Sequence, residues 1–342
     1  MSLIPEWLER YSRQIVLPEM GSEGQKKLSE SSVFIIGCGA LGSAAAQLLT
    51  RAGIGKIRVV DRDFVELSNL QRQIIYDEGD VKSGYPKAIV CAEKLRKINS
   101  SIEVEAIVDD VNPQNIEKLI EGFDLIIDGL DNFETRFLIN DAALKQEIPW
   151  IYAAAISTHG MTMNIIPGET ACLRDLIDTP PPPGSLPTCE TAGILNSVPT
   201  AIASIEVTEA IKILLGKDFK KNEALFWDLW NGDILKIRVS RREDCPACVR
   251  GEYEFLAGKG SKTVTLCGAN AVQVRPDKRA NLNLKSLGER LQRIGRVRLT
   301  PYVLYFDIDS YEISIFPDGR AIIKGTTDEN IARSLYSKYI GI

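Results

Sequence analysis

Short apolar runs recur along the chain, separated by stretches of helical period. Val33-Phe34-Ile35-Ile36 passes straight into Gly37-Cys38-Gly39-Ala40-Leu41-Gly42-Ser43, and an alanine-rich helical stretch follows. A second run, Ile57-Arg58-Val59-Val60, ends in Asp61. Strand, glycine turn, helix and second strand ending in an acid together predict a nucleotide-binding βαβ unit. Ala88, Cys91, Leu95 and Ile98 then recur at helical spacing behind Pro86, which suits a first helical turn. Ile102 to Ile107 alternates as a strand, and Asn112-Pro113 predicts the start of a helix that carries Ile116, Leu119 and Ile120 inward. Phe123 to Asp128 predicts another buried strand, closed by Gly129-Leu130-Asp131-Asn132, with a helix from Phe133. Ile151 to Ile156 and Thr162 to Ile166 extend the sheet. A helix from Val198 to Leu215 stops at Gly216, and a hairpin turns at Asn231-Gly232.

These elements predict an α/β fold: a Rossmann-like, doubly wound, mostly parallel sheet with flanking helices and an antiparallel portion. At 342 residues the chain has room for a second domain. Ala257 to Lys262 reads as a linker, and beyond it several strands, a helix near Leu284 to Ile294, the turn Pro317-Asp318-Gly319-Arg320 and a final helix from Asp328 predict a small C-terminal α+β domain. The expected bounds are 1–250 for the main domain, 251–262 for the linker and 263–342 for the appendage.

Composition narrows the chemistry. A net charge of −5 and a pI near 5.3 argue against broad nucleic-acid binding. No apolar run reaches the ~20 residues of a membrane span, and Met1-Ser2-Leu3-Ile4-Pro5-Glu6-Trp7 lacks the pattern of a signal peptide, so a cytoplasmic location is expected. Seven cysteines in such a chain suggest reduced thiols with catalytic or metal roles. His159 is the single histidine, most simply a surface or loop residue, which comes close to excluding histidine-based catalysis.

The candidate site follows from the strand ends. Gly37, Gly39 and Gly42 allow a tight turn and bring helix-start amides near a phosphate. Asp61, nineteen residues after Gly42, stands where such units place a ribose-binding carboxylate. Lys87 lies at a helix start, where a cation opposes the helix dipole unless it holds an anion. Asp131 and Asn132 should face the crevice, although Asn132 serves equally well as a helix cap. Cys38 and Cys267 read as packing residues, as does Cys91.

Arg10-Tyr11-Ser12-Arg13-Gln14, Ser68-Asn69-Leu70-Gln71-Arg72-Gln73, Pro86-Lys87 and Asp131-Asn132 with Thr135-Arg136, joined to the glycine turn, resemble the ThiF/MoeB family of adenylyltransferases (HesA/MoeB/ThiF), the relatives of ubiquitin-activating enzymes. The resemblance spans residues 10 to about 250. It implies ATP-dependent adenylation of the C-terminal Gly-Gly carboxylate of a small ubiquitin-like or sulfur-carrier protein. By the same resemblance Arg72 and Lys87 hold the phosphates, Asp131 holds Mg²⁺ and Asp61 takes the ribose. Asp63, Asn69, Gln73 and Asn132 complete the pocket, and Arg13 reaches into the neighbouring subunit of a homodimer. Cys189 matches the family's transfer cysteine, which forms a thioester or takes part in sulfur transfer, or it is a loop cysteine without a role. The family often holds a structural zinc with two Cys-x-x-Cys pairs. Here Cys245 and Cys248 are intact, whereas Cys172 pairs with Asp175, so zinc would take three thiolates with Asp175 or water, unless Arg174 and the lost thiolate leave it out. Two other readings stand beside this one. A nicotinamide-dependent oxidoreductase would use the same βαβ unit but leaves Arg72, Lys87 and Asp131 unexplained. A catalytically silent scaffold for a ubiquitin-like protein has the altered zinc motif as its support.

Overall fold

The structure is a computed structural model that describes residues 9–182, 191–259, 264–266, 270–274, 276 and 281–341. The chain divides into two compact units, Met1–Lys259 and Gly260–Ile342.

The first unit is built on an eight-stranded sheet of order β3-β2-β1-β4-β5-β6-β7-β8. β1 (Ser32–Ile36), β2 (Lys56–Val60), β3 (Glu103–Ile107), β4 (Leu125–Asp128) and β5 (Trp150–Ile156) run parallel. β6 (His159–Ile165), β7 (Glu223–Asp228) and β8 (Asp233–Arg238) add on antiparallel. Period-two alternation of the strands divides two cores. Val33, Ile35, Val59 and Ile127 pack under α3 (Ala40–Ala52), α5 (Lys87–Ile98) and α9 (Ser197–Leu215). Phe34, Ile36, Ile126 and Trp150 pack on the other side, against α6 (Ile116–Ile120) and α7 (Phe133–Lys145). The chain winds from β1 through β2 to β3 and then returns to place β4 on β1's other side. A crevice therefore opens beyond the carboxyl ends of β1 and β4.

Several local expectations shift. The helix expected from Asn112 begins at Ile116, because Asn112 first makes an Asx turn, its Oδ1 accepting Gln114 N–H at 3.0 Å. A short helix, α4 (Glu78–Ser83), is added behind Asp77, whose side chain caps it. Pro86 is the cap before α5 and Lys87 its first residue. His159 opens β6 and stacks on Phe226, so it is a strand residue and not a loop one. Phe255, inside the stretch expected to link domains, is buried in the second core. The N-terminal helices α1 (Ser12–Ile15) and α2 (Gly21–Glu30) and the small α8 (Leu173–Leu176) complete the unit.

The second unit is a six-stranded antiparallel sheet of order β11-β12-β13-β14-β10-β9: β9 (Val264–Leu266), β10 (Ala271–Val274), β11 (Arg296–Leu299), β12 (Leu304–Ile308), β13 (Tyr311–Ile315) and β14 (Ala321–Lys324). Leu287 and Leu291 of α10 (Leu284–Leu291) and Tyr336 of α11 (Glu329–Tyr339) cover Phe306, Ile313 and Ile323. β11 is absent from the sequence-based expectation. Its Arg-Val-Arg-Leu pattern is polar because it lies at the sheet edge, largely exposed.

Candidate functional site

The glycine turn is dictated by how closely its neighbours approach. Gly37 adopts φ +89°, and a Cβ there would stand 2.6 Å from Gly129 O. A Cβ on Gly42 would stand 1.9 Å from Gly37 O, so the first turn of α3 packs on the bare backbone of the turn. Gly39 caps α3 without a side chain, and a Cβ there would meet nothing closer than 3.7 Å. Space is thus left in front of unpaired helix-start amides, the arrangement that binds a phosphate.

Asp61 accepts two backbone N–H groups, Cys38 N–H of the turn at Oδ2 and Asp63 N–H just beyond β2 at Oδ1, each at 2.7 Å. Burial lifts its carboxyl above the ordinary value, with Lys87 pulling the other way. Lys87 is buried, its Nζ 3.5 Å from Asp63 Oδ2 and its N–H donating to Asp63 O at 2.8 Å. Burial works against its charge, but Asp63, Asp61 and Asp131 outweigh it and hold the ammonium above its ordinary pKa. Tyr76 ties the two sides together, its hydroxyl 2.9 Å from Cys38 O and 3.2 Å from Lys87 O. Asn69 is buried at the end of a 3₁₀ turn (Leu67–Asn69), where its Oδ1 accepts Glu66 N–H. Gln73, four residues on, is 4% exposed and its Oε1 has no hydrogen-bond partner. A buried acceptor left open beside the glycine turn fits a site meant to be filled by a polar ligand. Arg72 is partly exposed and donates to Ser68 O.

Across the crevice, Asp131 is exposed and Asn132 caps α7 by accepting Thr135 N–H at 2.9 Å. The cap is therefore real, whatever else Asn132 does. Asp131 and Asp63 both lie within electrostatic reach of Lys87. An exposed carboxylate near Lys87 and the glycine turn is the kind of ligand that Mg²⁺ takes beside phosphate oxygens.

One expected residue falls elsewhere. Arg13 is exposed on α1, and its neighbour Gln14 donates to Ala52 O at the far end of α3. A 13-residue helix spans about 20 Å, so Arg13 stands well away from its own chain's glycine turn. Cys189 lies outside the described residues, as does Cys267.

The Cys-rich cluster is assembled. Sγ of Cys172, Cys245 and Cys248 and an oxygen of Asp175 all lie within 4.8 Å of one another. Cys172 and Cys245 are 3.7 Å apart at sulfur, and Cys248 Sγ is 3.3 Å from Asp175 Oδ2. A tetrahedron with zinc–sulfur bonds of about 2.3 Å has sulfur–sulfur edges of about 3.8 Å. The four groups therefore fit zinc as they stand. Asp175 is aimed by backbone: Oδ2 accepts Cys172 N–H at 2.7 Å and Oδ1 accepts Arg242 N–H at 3.1 Å. The hydrogen bond from Cys172 lowers Cys245 to about 6, toward the thiolate form that binds metal. Arg174, the neighbour expected to disturb the site, instead pairs with Glu254 at 3.1 Å.

Sequence reasoning gave no role to three buried groups below the crevice, Asp128, Arg136 and Glu206, although Arg136 stands among the residues that carry the family resemblance. An acid closing an apolar strand, and an acid inside the largely apolar α9, were the available signals.

A glycine turn after β1, a buried lysine and an acidic strand-end loop make the architecture of a nucleotide-binding α/β protein. The ThiF family matches residues 11–247, and the chain belongs to it. It is 42% identical over 336 residues to the sulfur carrier protein ThiS adenylyltransferase of Bacillus subtilis, covering 97% of this chain and 99% of that one. It is 38% identical over 249 residues to a sulfur carrier protein adenylyltransferase of Thermus thermophilus, covering 71% and 91%. A solved structure of E. coli MccB with ATP superposes with a TM-score of 0.62 at 24% identity, covering 72% of this chain and 76% of that one, which shows a shared fold. The chain is an adenylyltransferase, and the nicotinamide-dependent reading is set aside. No helix among the described residues is long and apolar enough to cross a membrane.

Proposed function

We propose that this enzyme adenylates the C-terminal carboxylate of a small ubiquitin-like or sulfur-carrier protein ending in Gly-Gly. The observation that carries the reading is the meeting of the glycine turn, Lys87 and the Asp131 loop at one crevice that holds no histidine. A peptide carboxylate is already ionised at neutral pH, so the step needs no general base. Its oxygen attacks the α-phosphorus of ATP, the bond to the bridging oxygen breaks, pyrophosphate leaves and an acyl-adenylate remains. The chain's work is to hold two anions together and to neutralise charge on the leaving phosphates. The turn amides and Lys87 face the phosphates with Arg72, and Asp61 takes the ribose. Asp63, Asn69, Gln73 and Asn132 line the nucleotide. Magnesium held by Asp131 would supply further charge neutralisation when bound.

In this reading Arg13 serves the partner's site in a homodimer, since its own crevice lies about a helix length away. Cys189 accepts the acyl group as a thioester or takes part in sulfur transfer. Zinc sits in the Cys172, Cys245, Cys248 and Asp175 cluster as a structural ion, and protein purified without added zinc should carry about one per chain. The described cysteines are all unpaired, in keeping with a cytoplasmic enzyme. Adenylation is assigned to the first unit, and an interaction or supporting role to residues 263–342.

The test is exchange of labelled pyrophosphate into ATP with candidate carriers. Exchange should require a carrier and its two terminal glycines. Equal exchange after those glycines are removed contradicts the proposal.

A further inference from the structure

Directly beneath the Asp131 loop lies a fully buried charge cluster that the adenylation chemistry leaves unused. Asp128, the last residue of β4, is 0% exposed. Its Oδ2 accepts Arg136 Nε–H at 2.8 Å, and its Oδ1 accepts Leu130 N–H at 2.9 Å. Arg136, in the first turns of α7, donates through Nη2 to Leu130 O and to Ala153 O, each at 2.6 Å. Its guanidinium also lies near the rings of Phe133 and Tyr152. From the opposite face of the sheet, Glu206 on α9 accepts Asp128 N–H at 3.2 Å. Burial, and then the charge of Asp128, push the Glu206 carboxyl well above its ordinary value. The shift favours the neutral form, which accepts this hydrogen bond without setting a second negative charge beside Asp128.

A buried ion pair is a poor way to gain stability, because desolvating both charges cancels most of their attraction. What this pair achieves is local. It grips Leu130 by both its N–H and its C=O, and Leu130 immediately precedes Asp131. The same loop is packed on the glycine turn: Gly129 N–H donates to Ile36 O at 2.8 Å, and a Cβ on Gly129 would stand 2.5 Å from Gly37 O. We propose that Arg136 and Asp128 are positioning residues that fix Leu130, and with it the place at which the Asp131 carboxylate meets the magnesium-bound triphosphate. The proposal rests on the adenylation reading of Asp131.

Arg136→Ala would strand a buried carboxylate and threaten folding, so the informative variants are Arg136→Lys and Asp128→Asn. Lysine keeps the charge but cannot reach Asp128, Leu130 and Ala153 from one planar fork. Asparagine keeps the shape of Asp128 and its acceptor for Leu130 while removing the charge facing Arg136. Binding of a non-hydrolysable ATP analogue is measured by calorimetry with and without Mg²⁺, beside pyrophosphate exchange and melting temperature. For Arg136→Lys, magnesium-free nucleotide binding should stay at the wild-type value. The tightening that Mg²⁺ gives should shrink by about 10–100-fold, as for other partners that orient a metal-facing group, and the exchange kcat should fall similarly. Added to Asp131→Asn, Arg136→Lys should cost no more than about twofold further, since both changes act on one contact. Glu206→Gln should leave binding and exchange unchanged.

Should Arg136→Lys fail to fold, Asp128→Asn carries the same expectations. Folded variants that keep both the magnesium effect and kcat overturn the proposal, as do losses that multiply in the double variant. A Glu206→Gln loss as large as that of Arg136→Lys overturns the assigned charge arrangement. If Asp131→Asn itself keeps the magnesium effect, the adenylation reading of Asp131 fails and the positioning role with it. If Asp131→Asn loses the effect and Arg136→Lys does not, only the positioning role fails.

Discussion

Asp141, on α7, carries a carboxyl that the fold shuts away: the residue is 0% exposed, and Oδ1 has no hydrogen-bond partner. Oδ2 accepts Phe255 N–H at 2.8 Å and Leu256 N–H at 3.4 Å. Burial raises its pKa from 3.8 to about 6, against the pull of those two amides. Across that interval the folded chain binds a proton that the unfolded chain releases. The stability this group contributes is complete below pH 3.8 and is lost as pH rises through about 6. Asparagine still accepts from both amides but cannot ionise. Asp141→Asn should therefore gain on the wild type by up to about 3 kcal/mol between pH 4 and 7 and hold a constant difference above that. Urea unfolding of both proteins across this range checks it; a difference that does not change with pH refutes the linkage. Nothing in the sequence announces this residue, because an acid within a helix ordinarily reads as solvated.

At the scale of elements, the β1–turn–α3 unit depends on Gly42. Alanine there meets Gly37 O at 1.9 Å, so either the turn opens or α3 withdraws. Gly42→Ala should lower stability by about 1–3 kcal/mol and weaken ATP binding more than stability alone explains. Thermal melts paired with nucleotide titration separate the two; unimpaired ATP binding would show that the turn does not cradle the phosphate. This unit was legible in sequence because a short apolar run passes straight into a glycine turn and an alanine-rich helical stretch. The β4–α7 junction was legible too, through Asp131-Asn132 before a helical period. Elements whose signals are polar were less legible. β11 hides behind Arg296 and Arg298 at a sheet edge, α4 is held by an Asp77 cap and not by apolar spacing, and α6 starts late because Asn112 spends its side chain on a turn. Arg136 was named only within a motif, and its meeting with Asp128 and Glu206 escaped because charged residues become buried only through tertiary packing, which one sequence does not display.

At the scale of the molecule, the proposed homodimer has a direct consequence. Chains bearing Arg13→Ala and chains bearing Asp131→Ala should each be inactive, yet a hybrid of the two contains one site with both residues intact. Mixing them in equal amounts should restore roughly a quarter of wild-type exchange, because half the dimers are hybrid and each hybrid has one complete site. No recovery, with hybrid dimers confirmed by native mass spectrometry, contradicts the shared site.

In the proposed reaction the carrier's carboxylate oxygen attacks the α-phosphorus of ATP in the crevice beyond β1 and β4. The most direct measurement labels the carrier's terminal carboxylate with ¹⁸O, supplies ATP and an acceptor thiol, and asks where the label goes. ¹⁸O should appear in AMP, with pyrophosphate unlabelled. Label in inorganic phosphate, accompanied by ADP, would show attack at the γ-phosphorus and contradict the proposed reaction.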